Sequence, residues 1–311
     1  MRYQALFFTL SISFICAGRV TAQQVPYFSQ WYYNKVYYNV AFAPLEGRSE
    51  ILATYRNMWS NIDGAPQTAA IIARMPLFSS RGAGATTLIY DRIGNFSYLD
   101  INIGYAYSLQ LGKTYLSAGI KAGISRIGVD NVWISSSPDD PYIPIDDTSS
   151  ILPVVGAGIA LWSNRYYIGL SSINCIEFSH HITDALSLKE KNHIFLMGGY
   201  SWEIGRDVRL CPSGLVGSDM SSFSYTVNLS TVIKKHLIAG LSYGNEHSFG
   251  INMGYIWKDL QVNYCYQSGL SGIASPTGGS HEILLIYRPS PKKHKSDTPA
   301  TPHIVRNIRF L

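Results

Sequence analysis

The chain has 311 residues, of which 13% are aromatic and only 14% are charged. A soluble domain usually has about 25% charged residues, and a membrane-spanning helix needs roughly 20 consecutive apolar residues, which no stretch of this sequence provides. A chain that is rich in tyrosine and glycine, poor in charge and without a spanning helix is typical of a transmembrane β-barrel.

The first 22 residues have the pattern of a secretory signal peptide. Arg2 gives a positive start, residues 5–17 are apolar, and residues 20–22 offer small side chains before Gln23. We therefore expect residues 1–22 to be removed and the rest of the chain to be exported. Three cysteines then remain, an odd number that leaves at least one thiol unpaired. The sequence leaves open whether any two of them pair: Cys175, Cys211 and Cys265.

An aromatic segment, residues 23–48, precedes the first predicted strand. Its tyrosines and phenylalanines indicate either a plug inside a barrel or a part of the periplasmic rim. The barrel itself is expected over residues 49–288. Residues 289–311 form a basic, proline-rich tail with few core-forming side chains, which predicts a disordered extension or a docking arm in the periplasm.

Hydrophobic alternation with a period of two recurs along the barrel region and predicts about fourteen strands. In the clearest run, Leu99 to Leu111, apolar residues occupy the odd positions and small or polar residues occupy most even positions. Gly112-Lys113 then predicts a tight hairpin. The predicted strands are 49–59, 67–77, 82–90, 97–111, 114–126, 152–163, 165–172, 193–203, 208–216, 222–233, 236–243, 247–257, 259–267 and 280–288.

The connections alternate between short turns and longer loops, as in outer-membrane barrels, where the short turns are periplasmic. An even number of strands then puts both termini on the short-turn, periplasmic side. In the run from Leu99 we expect Leu99, Ile101, Ile103 and Tyr105 to face lipid, and Asp100 and Asn102 to face the interior. Aromatic residues near strand ends are expected in the interfacial girdles: Trp59, Tyr90, Trp162, Trp202 and Trp257.

Catalytic and metal-binding signatures are missing from the sequence. There is no GxSxG, HExxH or P-loop motif, and Ser280-His281-Glu282 cannot converge because neighbours along a strand point to opposite faces. The acidic residues Asp139, Asp140, Asp146 and Asp147 do not match a calcium-loop pattern, and interleaved prolines favour a solvated loop. We predict a protein that is not an enzyme, with no catalytic, cofactor-binding or metal-binding residues and no cofactor.

Basic residues recur in the short turns and in the tail. The simplest interpretation is that turns are polar, but so many positive charges on one edge also suggest docking to an acidic periplasmic partner. The candidate docking residues are Arg81, Lys113, Arg206, Lys234, Lys235, Lys258, Lys292, Lys293 and Lys295. Nucleic acid is not expected as a partner of an exported protein.

Ordered motifs between residues 23 and 288 resemble the PorP/SprF family of the type IX secretion and gliding machinery. They are QQVPYFSQ at 23–30, Asn39-Val40-Ala41, where the family more usually has Asn-Pro-Ala, YRNMW at 55–59, DGAPQT at 63–68, DRIG at 91–94, YIGLS at 167–171, and GGSHE at 278–282 with Tyr287.

The resemblance implies an outer-membrane barrel that works with periplasmic ring lipoproteins and a peptidoglycan-binding partner in the secretion or surface display of cargo. Outer-membrane lipid would surround it, and no catalytic residues carry over from the family. A porin or fatty-acid-type transport channel is the alternative function. An outer-membrane hydrolase is a third possibility, which would need an inward-facing catalytic cluster that the sequence does not offer.

Overall fold

The computed structural model describes residues 25–44, 48–78, 81–131, 144, 146–183, 186–245, 248–269 and 278–290. The fold is a closed barrel of fourteen antiparallel strands, because the first strand pairs with the second on one side and with the last on the other. In its first half, β1 spans Glu50–Asn57, β2 Gln67–Pro76, β3 Gly82–Ile93, β4 Phe96–Leu111, β5 Thr114–Val129, β6 Thr148–Trp162 and β7 Tyr166–Ser172.

In the second half, β10 spans Ile194–Tyr200, β12 Val208–Ser218, β13 Phe223–Ile233, β14 Leu237–Gly244, β15 Ser248–Trp257, β16 Leu260–Gly269 and β17 Ser280–Tyr287. Strand β11, Trp202–Ile204, continues the line of β10 along β12. The break between them lies at Ser201, opposite Cys211 and Pro212, and proline has no N–H to donate to a ladder. The prediction of fourteen alternating strands in a closed barrel is therefore confirmed.

The strand ends define two rims. At the rim here called the short-turn rim lie the strand ends that flank the connections 77–81, 112–113, 163–165, 205–207, 234–236 and 258–259, together with the start of β1 and the end of β17. At the opposite rim, here called the long-connection rim, lie the strand ends that flank the connections 58–66, 94–95, 130–147, 173–193, 219–222, 245–247 and 270–279. The alternation of turn length in the sequence thus marks opposite ends of the barrel.

Side chains alternate between the outer face and the interior as predicted for β4. Ile103 is 67% exposed on the outer face, whereas its neighbour Asn102 is 4% exposed inside. Isoleucine and leucine recur on the outer face of the other strands, where a membrane barrel meets lipid.

Trp162 was predicted in an aromatic girdle, and that prediction is wrong. Its ring is 4% exposed, points into the barrel and stacks on Tyr115 with a centroid distance of 4.2 Å. The reason is register, because the even positions of β6 face inward and the tryptophan occupies one of them. The other four girdle residues are exposed: Trp59, Tyr90, Trp202 and Trp257.

Residues 25–44, here called the internal segment, are buried within the barrel. The segment contains a short helix, α1 (Lys35–Tyr38), and a 3₁₀ turn, Val40–Phe42. Trp31 and Phe42 are fully buried against side chains of the barrel wall. Among the described residues no helix is long and apolar enough to cross a membrane.

The connection 173–193 contains a small hairpin that sequence alternation did not reveal. Its strands β8 (Ser179–His181) and β9 (Ser187–Lys189) have three residues each, too few to show a period. Ile182 packs with Ile127 and Val129 at the long-connection rim. The hairpin therefore covers part of the barrel end through a small apolar cluster.

Candidate functional site

Arg56 and Glu282 form the centre of the candidate site, inside the barrel. They are cross-strand partners of β1 and β17, and Arg56 Nε lies 3.9 Å from Glu282 Oε2 with both side chains almost fully buried. Glu282 also accepts hydrogen bonds from the backbone N–H groups of Ser29 at 2.6 Å and Gln30 at 3.2 Å. This pair, here called the seam pair, joins the two strands that close the barrel to the internal segment.

Further polar contacts extend the seam pair. Arg56 donates to the backbone carbonyl of Tyr27, its guanidinium lies over the Tyr27 ring, and it donates to Gln267 Oε1 at 3.0 Å. Ser29 Oγ donates to the same Gln267 oxygen at 2.7 Å. The N–H groups of Ser29 and Gln30 and the carbonyl of Tyr27 all belong to the internal segment, so removal of the segment would leave the buried charge pair without these partners.

Asn39 anchors the other end of the internal segment to the wall. Its Nδ2 donates to the carbonyl oxygens of Ile159 at 2.9 Å and Leu170 at 3.3 Å, on β6 and β7. Its Oδ1 accepts from the N–H of Ala41 at 2.9 Å, which caps the 3₁₀ turn. The side chain therefore fixes both the turn and the place where it meets the wall.

Inward-facing glycines make room for that contact. A methyl group on Gly169 would lie 2.6 Å from Phe42 Cε2 and 2.8 Å from Asn39 Nδ2, and one on Gly119 would lie 3.0 Å from Val40 Cγ1. Contacts under 3.0 Å force a shift of the neighbouring atoms, so a side chain here would displace the segment. The residues that form this contact surface, here called the glycine seat, are Gly104, Gly119, Gly158 and Gly169.

A third group of polar contacts lies at the short-turn rim. Glu50 binds Arg74 Nε at 3.1 Å and Arg288 Nε at 2.6 Å, and Arg74 donates to the carbonyl of Phe42 at 3.2 Å. These residues join the first, second and last strands and hold the end of the internal segment. The segment is thus fixed near its start by the seam pair and near its end by the contacts of Asn39 and Phe42.

The wall formed by strands β13 to β16 is polar. Strands β13 to β16 direct Asn228, Asn252 and Asn263 inward, all nearly inaccessible. Both side-chain polar atoms of Asn252 and both of Asn34 have no hydrogen-bond partner among the described residues, and the same holds for the indole N–H of Trp31. Buried polar groups without partners are costly, so this wall has the composition of a surface that faces water.

Ion pairs bind the loops of the long-connection rim to one another. Lys191 Nζ lies 2.9 Å from Asp219 Oδ2, and Ser222 donates to the other oxygen of the same carboxylate. Burial disfavours the charge on Asp219, but the hydrogen bonds from Lys191 and Ser222 outweigh it and hold the pKa of Asp219 well below its usual range. The connections 173–193 and 219–222 are therefore joined by a charged contact.

The structure places the described candidate docking residues together on the short-turn rim. All six are exposed: Arg81, Lys113, Arg206, Lys234, Lys235 and Lys258. Two acidic residues, Asp207 and Asp259, lie in the same turns. Lys292, Lys293 and Lys295 lie outside the described residues, as do the predicted signal peptide, Asp139 and Asp140.

Of the acidic loop residues considered for calcium, Asp147 accepts a hydrogen bond from the backbone N–H of Asn131 at 3.0 Å. Among the described residues, no group of three or more histidines, cysteines or acids could hold a metal ion.

Ser280, His281 and Glu282 do not form a triad. His281 is bound to the Tyr264 hydroxyl at 2.6 Å, while Glu282 points inward to the internal segment. The described cysteines, Cys175, Cys211 and Cys265, form no disulfide bond with one another.

The seam pair and the glycine seat were not identified from the sequence as functional residues. A signal was present, because charged residues at inward positions of a barrel strand need partners, and Arg56 and Glu282 occupy such positions. The partner could not be found by alternation alone, since it belongs to the irregular internal segment.

A closed antiparallel barrel with an apolar outer face and a polar, occupied interior defines the class of membrane β-barrels. The chain belongs to the PorP/SprF family of type IX secretion system membrane proteins, whose model matches residues 20–287. This confirms the family resemblance predicted from the motifs. Neither the family nor the fold is that of a known enzyme class, and both support an outer-membrane location.

Solved structures with similar folds are outer-membrane barrels. A Pseudomonas aeruginosa FadL homologue is 9% identical, with 81% of this chain and 93% of that chain covered at a TM-score of 0.51. Omp33 of Acinetobacter baumannii is 9% identical, with 78% of this chain and 97% of that chain covered at a TM-score of 0.47. The toluene transporter TbuX of Ralstonia pickettii is 10% identical, with 80% of this chain and 91% of that chain covered at a TM-score of 0.48. The similarity to the FadL homologue supports the barrel fold and nothing beyond it. No curated protein sequence matches the chain.

The motifs that carry the family resemblance converge in space. Ser29 and Gln30 of the first motif contact Glu282 of the last, and Arg56 of YRNMW lies between them. Asn39 of the Asn-Val-Ala motif is seated on Gly169 of YIGLS. Thr68 of DGAPQT contacts Asp91 of DRIG. The motifs thus form or flank the seat of the internal segment.

Proposed function

We propose that this protein is a non-enzymatic outer-membrane component of the type IX secretion apparatus that anchors or adapts the periplasmic ring complex. In this role it supports the secretion or surface display of cargo. The observation that carries the proposal is the group of exposed basic side chains on the short-turn rim, in a barrel of this family whose interior is occupied.

The short-turn rim would face the periplasm, as in other outer-membrane barrels. There, Lys234 and Lys235 and the neighbouring turns present a positive edge that an acidic partner surface would complement. Such complementarity raises the association rate and fixes orientation, and it weakens as salt is added. The periplasmic ring lipoproteins and a peptidoglycan-binding protein are the partners that we expect.

The experiment is charge reversal on each rim. We expect Lys234→Glu with Lys235→Glu to reduce crosslinked co-purification of the ring lipoproteins from cell envelopes, and to reduce secretion, while the barrel still assembles. Arg92→Glu, on the long-connection rim, is the matched control, because its ion pair with Asp130 is exposed and worth little. Equal co-purification of both variants and the unmodified protein would overturn the proposal.

A transport channel is the second candidate, and the polar wall of β13 to β16 favours it. That wall has unpaired amide groups while the internal segment is in place, and water would satisfy them if the segment left. We expect the unmodified protein to be closed in planar bilayers, and variants that displace the segment to conduct. A large, stable conductance of the unmodified protein would favour the channel over the anchor.

A further inference from the structure

A cavity of about 210 Å³ lies inside the barrel, between the internal segment and the connection 173–193. Val25, Pro26 and Tyr37 of the segment line one side of it, and residues of β4 and β5 line the wall. The connection 173–193 supplies the remaining side, at the long-connection rim. The cavity is separate from the seam pair, which lies on β1 and β17.

Lys121 is the unusual residue of this cavity. Its side chain is 8% exposed, and no acceptor among the described residues lies within hydrogen-bond distance of its ammonium, which lies over the Tyr37 ring at 5.8 Å. Two glycines make room for it, Gly104 and Gly156, which are its cross-strand partners on β4 and β6. A methyl group on Gly156 would lie 2.7 Å from Lys121 Cε. The wall is therefore built around this buried cation.

Asp100 lines the same cavity and supplies the opposite charge. It is not within ion-pair distance of Lys121, and its Oδ1 has no hydrogen-bond partner among the described residues, although Ser125 interacts with the same carboxylate. Asn102, the neighbouring inward position, also has an unpartnered carbonyl oxygen. The wall thus offers one unpaired cation beside unpaired acceptors.

The charges at the mouth of the cavity are paired with one another. Lys189 lies 2.5 Å from Glu177, Lys191 pairs with Asp219, and Glu190 lies 3.0 Å from His180. Each of these groups therefore already has a polar partner in contact with it. Lys121 and Asp100 act on each other only at a distance, and neither has an ion-pair partner in contact with it among the described residues.

We propose that this cavity binds a small zwitterion of the amino-acid class. Its carboxylate would accept from Lys121, and its ammonium would donate to Asp100 and Asn102. A ligand with one charge would leave one wall group unpaired, and a neutral polyol would compensate neither charge. The site is independent of the proposed role of the basic rim, since it lies at the other end of the barrel.

Calorimetric titration of the purified barrel in detergent tests the proposal. The probes are glycine and L-alanine, with acetate, ethylammonium and glucose as partial or neutral analogues. We expect saturable binding of the two zwitterions, and binding of each analogue that is at least about tenfold weaker, because one charge-assisted hydrogen bond is lost. Lys121→Met and Asp100→Asn should each weaken zwitterion binding by at least about tenfold.

Arg165→Met, in the exposed connection 163–165 of the opposite rim, is the matched control and should bind as the unmodified protein does. Heat-modifiability on gels shows whether each variant is folded, and Asp100→Asn preserves shape if Lys121→Met does not fold. The proposal is overturned if the unmodified protein gives no saturable binding of either zwitterion. It is also overturned if glucose binds as tightly as glycine, or if Asp100→Asn leaves zwitterion binding unchanged.

Discussion

Arg56 and Glu282 face each other across the seam where the last strand of the barrel pairs with the first, and Glu282 binds the backbone of the internal segment as well. Closure of the barrel and placement of the segment therefore depend on the same carboxylate. A segment that entered later would have to find a preformed charge pair, and a barrel without the segment would bury that pair without its N–H donors.

Glu282→Gln is predicted to loosen the internal segment and destabilise the barrel by about 3–5 kcal/mol, because it leaves the buried Arg56 guanidinium without its counter-ion. Urea unfolding in detergent, followed by heat-modifiability, measures the change. Glu203→Gln is the control, since its pair with Arg209 is 3.5 Å long with Glu203 74% exposed, and should change stability by less than about 1 kcal/mol. Equal effects of the two substitutions would contradict the central role of the seam pair.

The strands could be predicted from the sequence because each strand obeys a period of two over many residues. Leu99 to Leu111 alternates almost without exception, and the structure follows it. Trp162 was misplaced because an aromatic residue near a strand end fits either face, and only the register of β6 against β5 decides between them.

The seat of the internal segment could not be predicted in the same way. Ser29 and Glu282 are 253 positions apart, and their contact depends on how an irregular segment folds back into a closed barrel. Gly158 and Gly169 appeared as small residues of alternating strands, without any sign that another part of the chain needs the space. The motif resemblance included Ser29, Gly169 and Glu282, but it did not indicate which of the motifs meet in the folded chain.

Ile103→Arg is predicted to destabilise the barrel by about 2–4 kcal/mol, because its side chain lies on the outer face far from both ends of the long strand β4. Folding into phospholipid vesicles, titrated with denaturant, measures the effect. Leu111→Arg, at the end of the same strand and also exposed, should cost no more than about 1 kcal/mol near the interface. A larger loss for Leu111→Arg would mean that the bilayer midplane is not near Ile103.

The contact between Asp219 and Lys191 is predicted to weaken in acid. The pKa of Asp219 is lower in the folded loops than in an open chain, so the contact stabilises the loops above the ordinary aspartate pKa of about 4 and is lost as pH falls toward the lowered value. Hydrogen exchange of residues 186–193 and 219–222, corrected for intrinsic rates, should show increasing exchange as pH falls below about 4.

Asp219→Asn should abolish that pH dependence and lower the local opening free energy at neutral pH by about 1–3 kcal/mol. Asp130→Asn is the control, because its pair with Arg92 is half exposed and contributes little. Unchanged pH dependence of exchange in Asp219→Asn would show that another group controls the loops.

Gly169→Ala is predicted to displace the internal segment from the wall. The added methyl group would lie 2.6 Å from Phe42 Cε2 and 2.8 Å from Asn39 Nδ2, so either the phenylalanine ring or the amide anchor has to move. Overpacking of this kind costs about 1–3 kcal/mol, which the segment can avoid by leaving the glycine seat.

If the internal segment leaves the glycine seat, water reaches the polar wall of β13 to β16, and single-channel recordings in planar bilayers should show openings that the unmodified protein lacks. Gly214→Ala is the matched control, because that glycine lies in a strand of the same barrel and a methyl group there meets its nearest neighbour only at 4.0 Å. A closed Gly169→Ala barrel with normal stability would show that the seat tolerates a side chain, and equal conductance of both variants would mean that the openings do not come from the internal segment.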